Sequence, residues 1–159
     1  MVVEVSRPLI SEILVKVNNA KDKPKKIAVL KQYDSPGIRM VLKSSFDPKI
    51  QWRLPAGDVP FKKNDAPAGT EHTRLEQEAR TLFHYIKGGN DKLKQIKCEA
   101  MFVQLLEGLH ESEAEMLIAA KDKRLHQVYK GLSKQVVQES FNWDEDYLDM
   151  THKNYKKSA

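Results

Sequence analysis

The 159-residue sequence predicts an all-α fold, a compact single-domain bundle of about six or seven helices with one long Pro-rich loop over 47–70. Three observations carry that prediction. Apolar residues recur at intervals of three and four in segment after segment, whereas strand-like alternation is confined to Ile50, Trp52 and Leu54. Most of these segments open on a residue able to cap a helix and close on Asn, Gly or Asp-Pro. Four of the seven prolines (Pro48, Pro55, Pro60 and Pro67) fall within 47–70, so the helix breakers are concentrated in one place.

Ser6 is a cap for the first helix, whose face is Leu9, Ile10, Ile13, Leu14 and Val17, and Asn18-Asn19 ends it. Asp22 caps a second, with Pro24 in its first turn and Ile27, Leu30 and Tyr33 inward. Ser35-Pro36-Gly37 opens a third, faced by Ile38, Val41, Leu42 and Phe46 and stopped by Asp47-Pro48. A connection as long as 47–70 inside a compact domain is either functional or partly mobile. Thr70 then caps a helix carrying Leu75, Ala79, Leu82, Phe83 and Ile86, ended by Gly88-Gly89. From Asp91 onward, Leu93, Ile96, Ala100, Phe102, Val103, Leu105, Leu106 and Leu109 cover a wide arc, which predicts the central helix of the bundle. Ser112 and Glu115 form a capping box for the next, and Leu132 and Val137 flank Ser133 as a staple for a last helix ending near Phe141.

Composition sets the class. With 40% apolar and 31% charged residues, the chain is expected to fold as one helical domain over 1–142, followed by a polar, flexible tail over 143–159. The single cysteine, Cys98, excludes an internal disulfide and fits a reducing compartment. No apolar run approaches the roughly 20 residues that span a bilayer, and the start Met1-Val2-Val3-Glu4-Val5 lacks a basic region ahead of an apolar one. A cytoplasmic protein without a membrane partner is expected.

No catalytic motif stands out. His110-Glu111 lacks a second histidine one turn later, and no glycine-rich segment has phosphate-loop spacing. The five histidines and Cys98 are scattered, with no pair at metal-ligand spacing. The expectation is therefore no catalytic residue, no metal and no cofactor. Charge is more informative, because it comes in blocks. Residues 1–46 carry nine Lys/Arg against four Asp/Glu, and 99–119 carry five glutamates and no base. Residues 120–137 return to five bases and one acid, and 138–150 hold five acids and no base. Such blocks are either solvated helix faces or a basic surface for polyphosphate with the acids turned away.

The densest basic stretch joins Lys121, Lys123 and Arg124 to Lys130, Gly131, Ser133 and Lys134. A basic loop there feeds through a glycine into a helix start, whose N–H groups from Gly131 to Gln135 and positive dipole end suit a backbone phosphate. An ordinary capped helix after a solvated loop is the other reading, and the sequence leaves both open. For a protein partner, Trp52 and Phe61 in the Pro-rich loop are the candidate contacts, with Trp52 equally able to plug the core.

Two resemblances add to this. Leu117 to Phe141, with Lys-Asp-Lys-Arg and Tyr-Lys-Gly-Leu-Ser, together with Arg7-Pro8-Leu9-Ile10-Ser11-Glu12-Ile13 and Ser45-Phe46-Asp47-Pro48, resembles an uncharacterised family of small proteins from large tailed, T4-like bacteriophages. The layout also resembles the helical N-terminal DNA-binding domain of phage ATP-dependent DNA ligases, which place a Lys-rich second helix like Lys25-Lys26-Ile27-Ala28-Val29-Leu30 and, near the end, a glycine and paired aliphatic like Gly131 to Val137. That likeness implies a grip on duplex DNA through phosphates. The ligase Lys-x-Asp-Gly nucleophile motif is absent, Lys31-Gln32-Tyr33-Asp34 having the wrong spacing, so the module without the enzyme is implied. The expected role is a non-enzymatic DNA-binding accessory protein in the cytoplasm of an infected host cell, working beside a phage or host replication or transcription protein. A phage protein–protein adaptor or minor virion component is the alternative.

Overall fold

The computed structural model describes residues 8–63 and 73–141, and over these the chain is helical with no strand. Eight α-helices are described: α1 (Ile10–Asn19), α2 (Lys23–Gln32), α3 (Pro36–Phe46), α4 (Leu75–Glu78), α5 (Gln95–Gly108), α6 (Glu111–Lys121), α7 (Leu125–Val128) and α8 (Lys134–Ser140). A 3-10 helix, Ala79–Tyr85, continues directly from α4. The caps expected at Ser6 and Thr70, and the tail 143–159, lie outside the described residues.

Local chemistry sets the helix starts at Asp22, Ser35 and Ser133. Asp22 Oδ1 accepts the Lys25 N–H at 3.0 Å and Ser35 Oγ the Ile38 N–H at 3.2 Å, each followed by a proline whose missing donor costs nothing in the first turn. Ser133 Oγ accepts from Val136 N–H at 3.2 Å, and both residues of the expected staple, Leu132 and Val137, are buried. The Ser112–Glu115 box does not form. His110 is the cap of α6, its Nδ1 accepting the Ser112 N–H at 3.2 Å, while Glu115 reaches out to Lys63.

The centre of the bundle is α6, not α5. In α5 only Cys98, Phe102 and Leu106 are buried, a single i, i+4, i+8 stripe. In α6 every residue from Glu113 to Lys121 except Glu115 is buried. Ala114, Ala119 and Ala120 let neighbouring backbones approach, and α6 packs against α1, α3, α5 and α7. An apolar arc measures what a helix could bury; small residues measure how closely it can be surrounded. Glu113 adds a polar tie at this centre. Its carboxylate is fully buried, with Oε2 accepting the Ile10 N–H at 2.9 Å and Oε1 the Leu75 N–H at 3.0 Å. One anion thus serves the positive ends of α1 and α4 together.

The Pro-rich segment is strapped across the helices over its described part. Trp52 pairs in an antiparallel bridge with Ile86, flanked by Arg53 N–H to Tyr85 O (2.7 Å) and Lys87 N–H to Gln51 O (2.8 Å). Those bonds take the backbone groups that a helix continuing through Ile86 would need, so the helix read over 70–87 stops at Tyr85. Trp52 is 8% exposed, donates its indole N–H to Ser44 O at 3.0 Å and meets Phe102 edge-on. It plugs the core, and the expectation of Trp52 as an exposed partner contact is corrected.

Candidate functional site

The stretch expected to hold phosphates divides in two. Its first half closes α6 in a Schellman motif: Lys123 N–H donates to Ala120 O (3.0 Å), Arg124 N–H donates to Ala119 O (2.8 Å), and Lys123 sits left-handed at φ 59°. This turn brings both lysines against the strap. The Lys121 side chain is 0% exposed, and its ammonium donates to Pro55 O (2.7 Å), Gly57 O (3.1 Å) and Asp122 Oδ1 (2.6 Å). Those are all the donors an ammonium has. Lys123 Nζ donates to Asp47 O (2.9 Å) and Ile50 O (2.7 Å), and burial holds its pKa below the usual lysine value. Gly57 N–H returns to both Asp122 oxygens at 3.1 and 3.2 Å. Lys121 and Lys123 therefore clasp the strap, which corrects their expected place on a phosphate-binding surface. Arg124 leans on Asp122 at 3.5 Å and keeps 41% of its side chain exposed.

The second half keeps its lysines and loses two N–H groups of its expected cradle. Gly131 N–H donates to Asn18 Oδ1 at 2.7 Å and Leu132 N–H to Tyr129 O at 2.8 Å, so neither is left for an anion. A Cβ at Gly131 would stand 2.9 Å from Lys26 Cε and Nζ and 3.1 Å from Asn18 O. A side chain there would push aside the flexible end of Lys26 and press on the Asn18 carbonyl at the end of α1; the glycine does not have a positive φ, and Ser133 is occupied as the α8 cap. Lys130 and Lys134 stand exposed beside this junction.

What the junction brings next to them is α2. Lys26 Nζ donates to the Val17 and Ala20 carbonyls at the end of α1, and Lys23 pairs with Glu139 of α8. α2 contains four lysines and no acid, exposing Lys25 and Lys31, with Lys21 exposed in the turn before it. Exposed lysines from the two ends of the sequence thus lie on elements packed against one another, α2 and α8 with the turn before it. The missed members are Lys21, Lys25 and Lys31, and the signal for the last two was the acid-free lysine run over 23–31.

Residues 13–127 match a family of unknown function, DUF6433. The chain belongs to DUF6433. No curated protein and no solved structure matches it. The stretch that defines DUF6433 here runs from α1 into α7, so it includes the lysine clasp and all of α2, while Lys130, Gly131, Ser133 and Lys134 follow its end.

Elsewhere in this DUF6433 chain, Phe61 is half-buried and packed on the core, so the strap presents neither aromatic as a free anchor. A cleft of about 520 Å³ opens where the strap meets the end of α6, lined by Phe46, Pro48, Trp52, Leu54, Lys121 and Lys123. Cys98 is buried and its thiol is pushed up by burial, as suits a packing residue. Among the described residues, no three His, Cys, Asp or Glu side chains converge as a metal site, and no helix is long and apolar enough to cross a membrane.

Proposed function

We propose that the protein is a non-enzymatic accessory protein that grips duplex DNA through backbone phosphates, acting in the cytoplasm of a phage-infected cell. The observation that carries this reading is the packing of α8, which exposes Lys134 and follows the turn that exposes Lys130, against the acid-free, lysine-rich α2. Exposed lysines on both sides of one junction fit two nearby phosphates, and lysine contacts of this kind position DNA without reading bases. The likeness of this layout to a ligase DNA-binding module, and of 117–141 to small phage proteins, supports the same reading. The adaptor alternative has lost its anchor, since Trp52 is in the core.

Titration of the chain into labelled nicked, intact and single-stranded DNA at two salt concentrations tests this. Binding to both duplex forms, weaker at the higher salt and indifferent to sequence, is expected; absence of binding at low salt sinks the reading. Incubation with labelled ATP and magnesium should leave the chain unlabelled, and a stoichiometric covalent label would contradict the non-enzymatic part.

A further inference from the structure

The cleft between the strap and the end of α6 has apolar walls and two polar groups that lack a full set of partners. Phe46, Pro48, Ile50, Trp52 and Leu54 supply the walls, and its volume of about 520 Å³ is that of a small-molecule site. Ser45, in the last turn of α3, lines it too. That serine is buried and its Oγ has no hydrogen-bond partner, whereas the hydroxyl of Ser44 beside it donates to Val41 O at 2.7 Å. A buried hydroxyl left unpaired costs free energy, so an acceptor placed against it is favoured. Lys123 is the second group. Its Nζ donates to Asp47 O and Ile50 O, which uses two of the three N–H groups of an ammonium. Lys121, also in the lining, has none left. Asp122 is engaged by Lys121, Arg124 and the Gly57 N–H, so two lysines against one aspartate leave the lining positive.

We propose that this cleft binds a small carboxylate with a flat apolar body, the carboxylate meeting the Ser45 hydroxyl and the remaining Lys123 N–H while the body lies among Phe46, Trp52 and Leu54. Two donors match the two oxygens of a carboxylate and are too few for a phosphate. A lysine donor makes one of those bonds charge-assisted, and the apolar walls keep competing water from it. A facing anion also offsets the burial that holds the Lys123 pKa down. Such a ligand touches α3, the strap and the turn after α6 together, so occupancy stabilises the fold by mass action. The proposal does not rest on the DNA grip, which lies on α2, α8 and the turn before α8.

Titration of the full chain with phenylacetate at constant ionic strength, followed by NMR of the Trp52 indole N–H, tests it. A saturable shift is expected, with a rise in Tm at saturation. Phenylacetamide, which lacks the charge, and acetate, which lacks the body, should each bind about tenfold more weakly or worse. Ser45→Ala should weaken phenylacetate about tenfold, the size of one hydrogen bond to a charged group. Its Tm without ligand should not fall, because the hydroxyl has no bond to lose. Lys123→Met should weaken binding by at least as much in the folded chain, and Ser45→Ala decides the matter if that variant loses the clasp and unfolds. The absence of a saturable Trp52 shift leaves the cleft to water and overturns the proposal. Phenylacetamide binding as tightly as phenylacetate, or Ser45→Ala binding like the parent, overturns it as well.

Discussion

Replacing Glu113 with glutamine leaves size and shape but only one acceptor oxygen for two buried helix-start N–H groups. The second N–H, at Ile10 or Leu75, then faces an amide donor. A cost of about 1–3 kcal/mol is expected from an unsatisfied buried donor, read as a drop in the urea midpoint. Lys121→Met tests the clasp in the same way. The methionine fills the buried stem, but two carbonyls lose their donor and Asp122 keeps only Arg124 and the Gly57 N–H, and a loss of about 1–3 kcal/mol is expected for buried acceptors left unsatisfied. Lys130→Ala should stay within about 0.5 kcal/mol of the parent, as an exposed charge away from any network. Sequence alone could not separate Lys121 from Lys130. Both are lysines in one basic stretch, and what distinguishes them is a loop more than sixty residues away whose carbonyls receive only the first. The thiol of Cys98, buried and with its pKa raised, should resist a thiol reagent at pH 8 in the native chain and react once the chain is unfolded. Rapid native reaction would contradict its placement.

At the scale of elements, the strap behaves as part of the core. Trp52→Ala removes a buried indole, its bond to Ser44 O and its edge contact with Phe102, and should destabilise by about 3–5 kcal/mol. A broadened or lost thermal transition is the expected readout. A fully stable variant that loses only a bound partner would restore the tryptophan as an interface anchor. Helix starts at Asp22, Ser35 and Ser133 were legible because a cap and its N–H lie within three residues of one another. The start of α6 was not, because His110 is an uncommon cap and Ser112 a common one. Nor was the end of the 3-10 helix, which is fixed by the Arg53 N–H donating to Tyr85 O and the Gln51 carbonyl accepting from Lys87 across the fold. The prominence of α6 over α5 was hidden for a related reason: alanines look weakly apolar in a sequence and admit the closest neighbours in a structure.

For the whole molecule, the fold class was legible from periodicity and caps, and the candidate surface only in part. Lys130 and Lys134 keep their expected exposure, Lys121 and Lys123 turn inward, and Lys21, Lys25 and Lys31 join from the other end of the chain. That exchange leaves the sum of charge about the same and moves its location, which is what a salt-dependent measurement can detect. Contacts to phosphate release counterions, and affinity falls with salt along a log–log slope of roughly −0.9 per contact. The most direct measurement is that slope for duplex DNA in three chains: the parent, Lys130→Ala with Lys134→Ala, and Lys121→Met assayed where it remains folded. The account predicts that the exposed pair flattens the slope by about two units without changing sequence preference, whereas Lys121→Met leaves the slope of the folded fraction where it was. A parent that binds with a slope untouched by the loss of Lys130 and Lys134, or one flattened by Lys121→Met at unchanged fold, would contradict it.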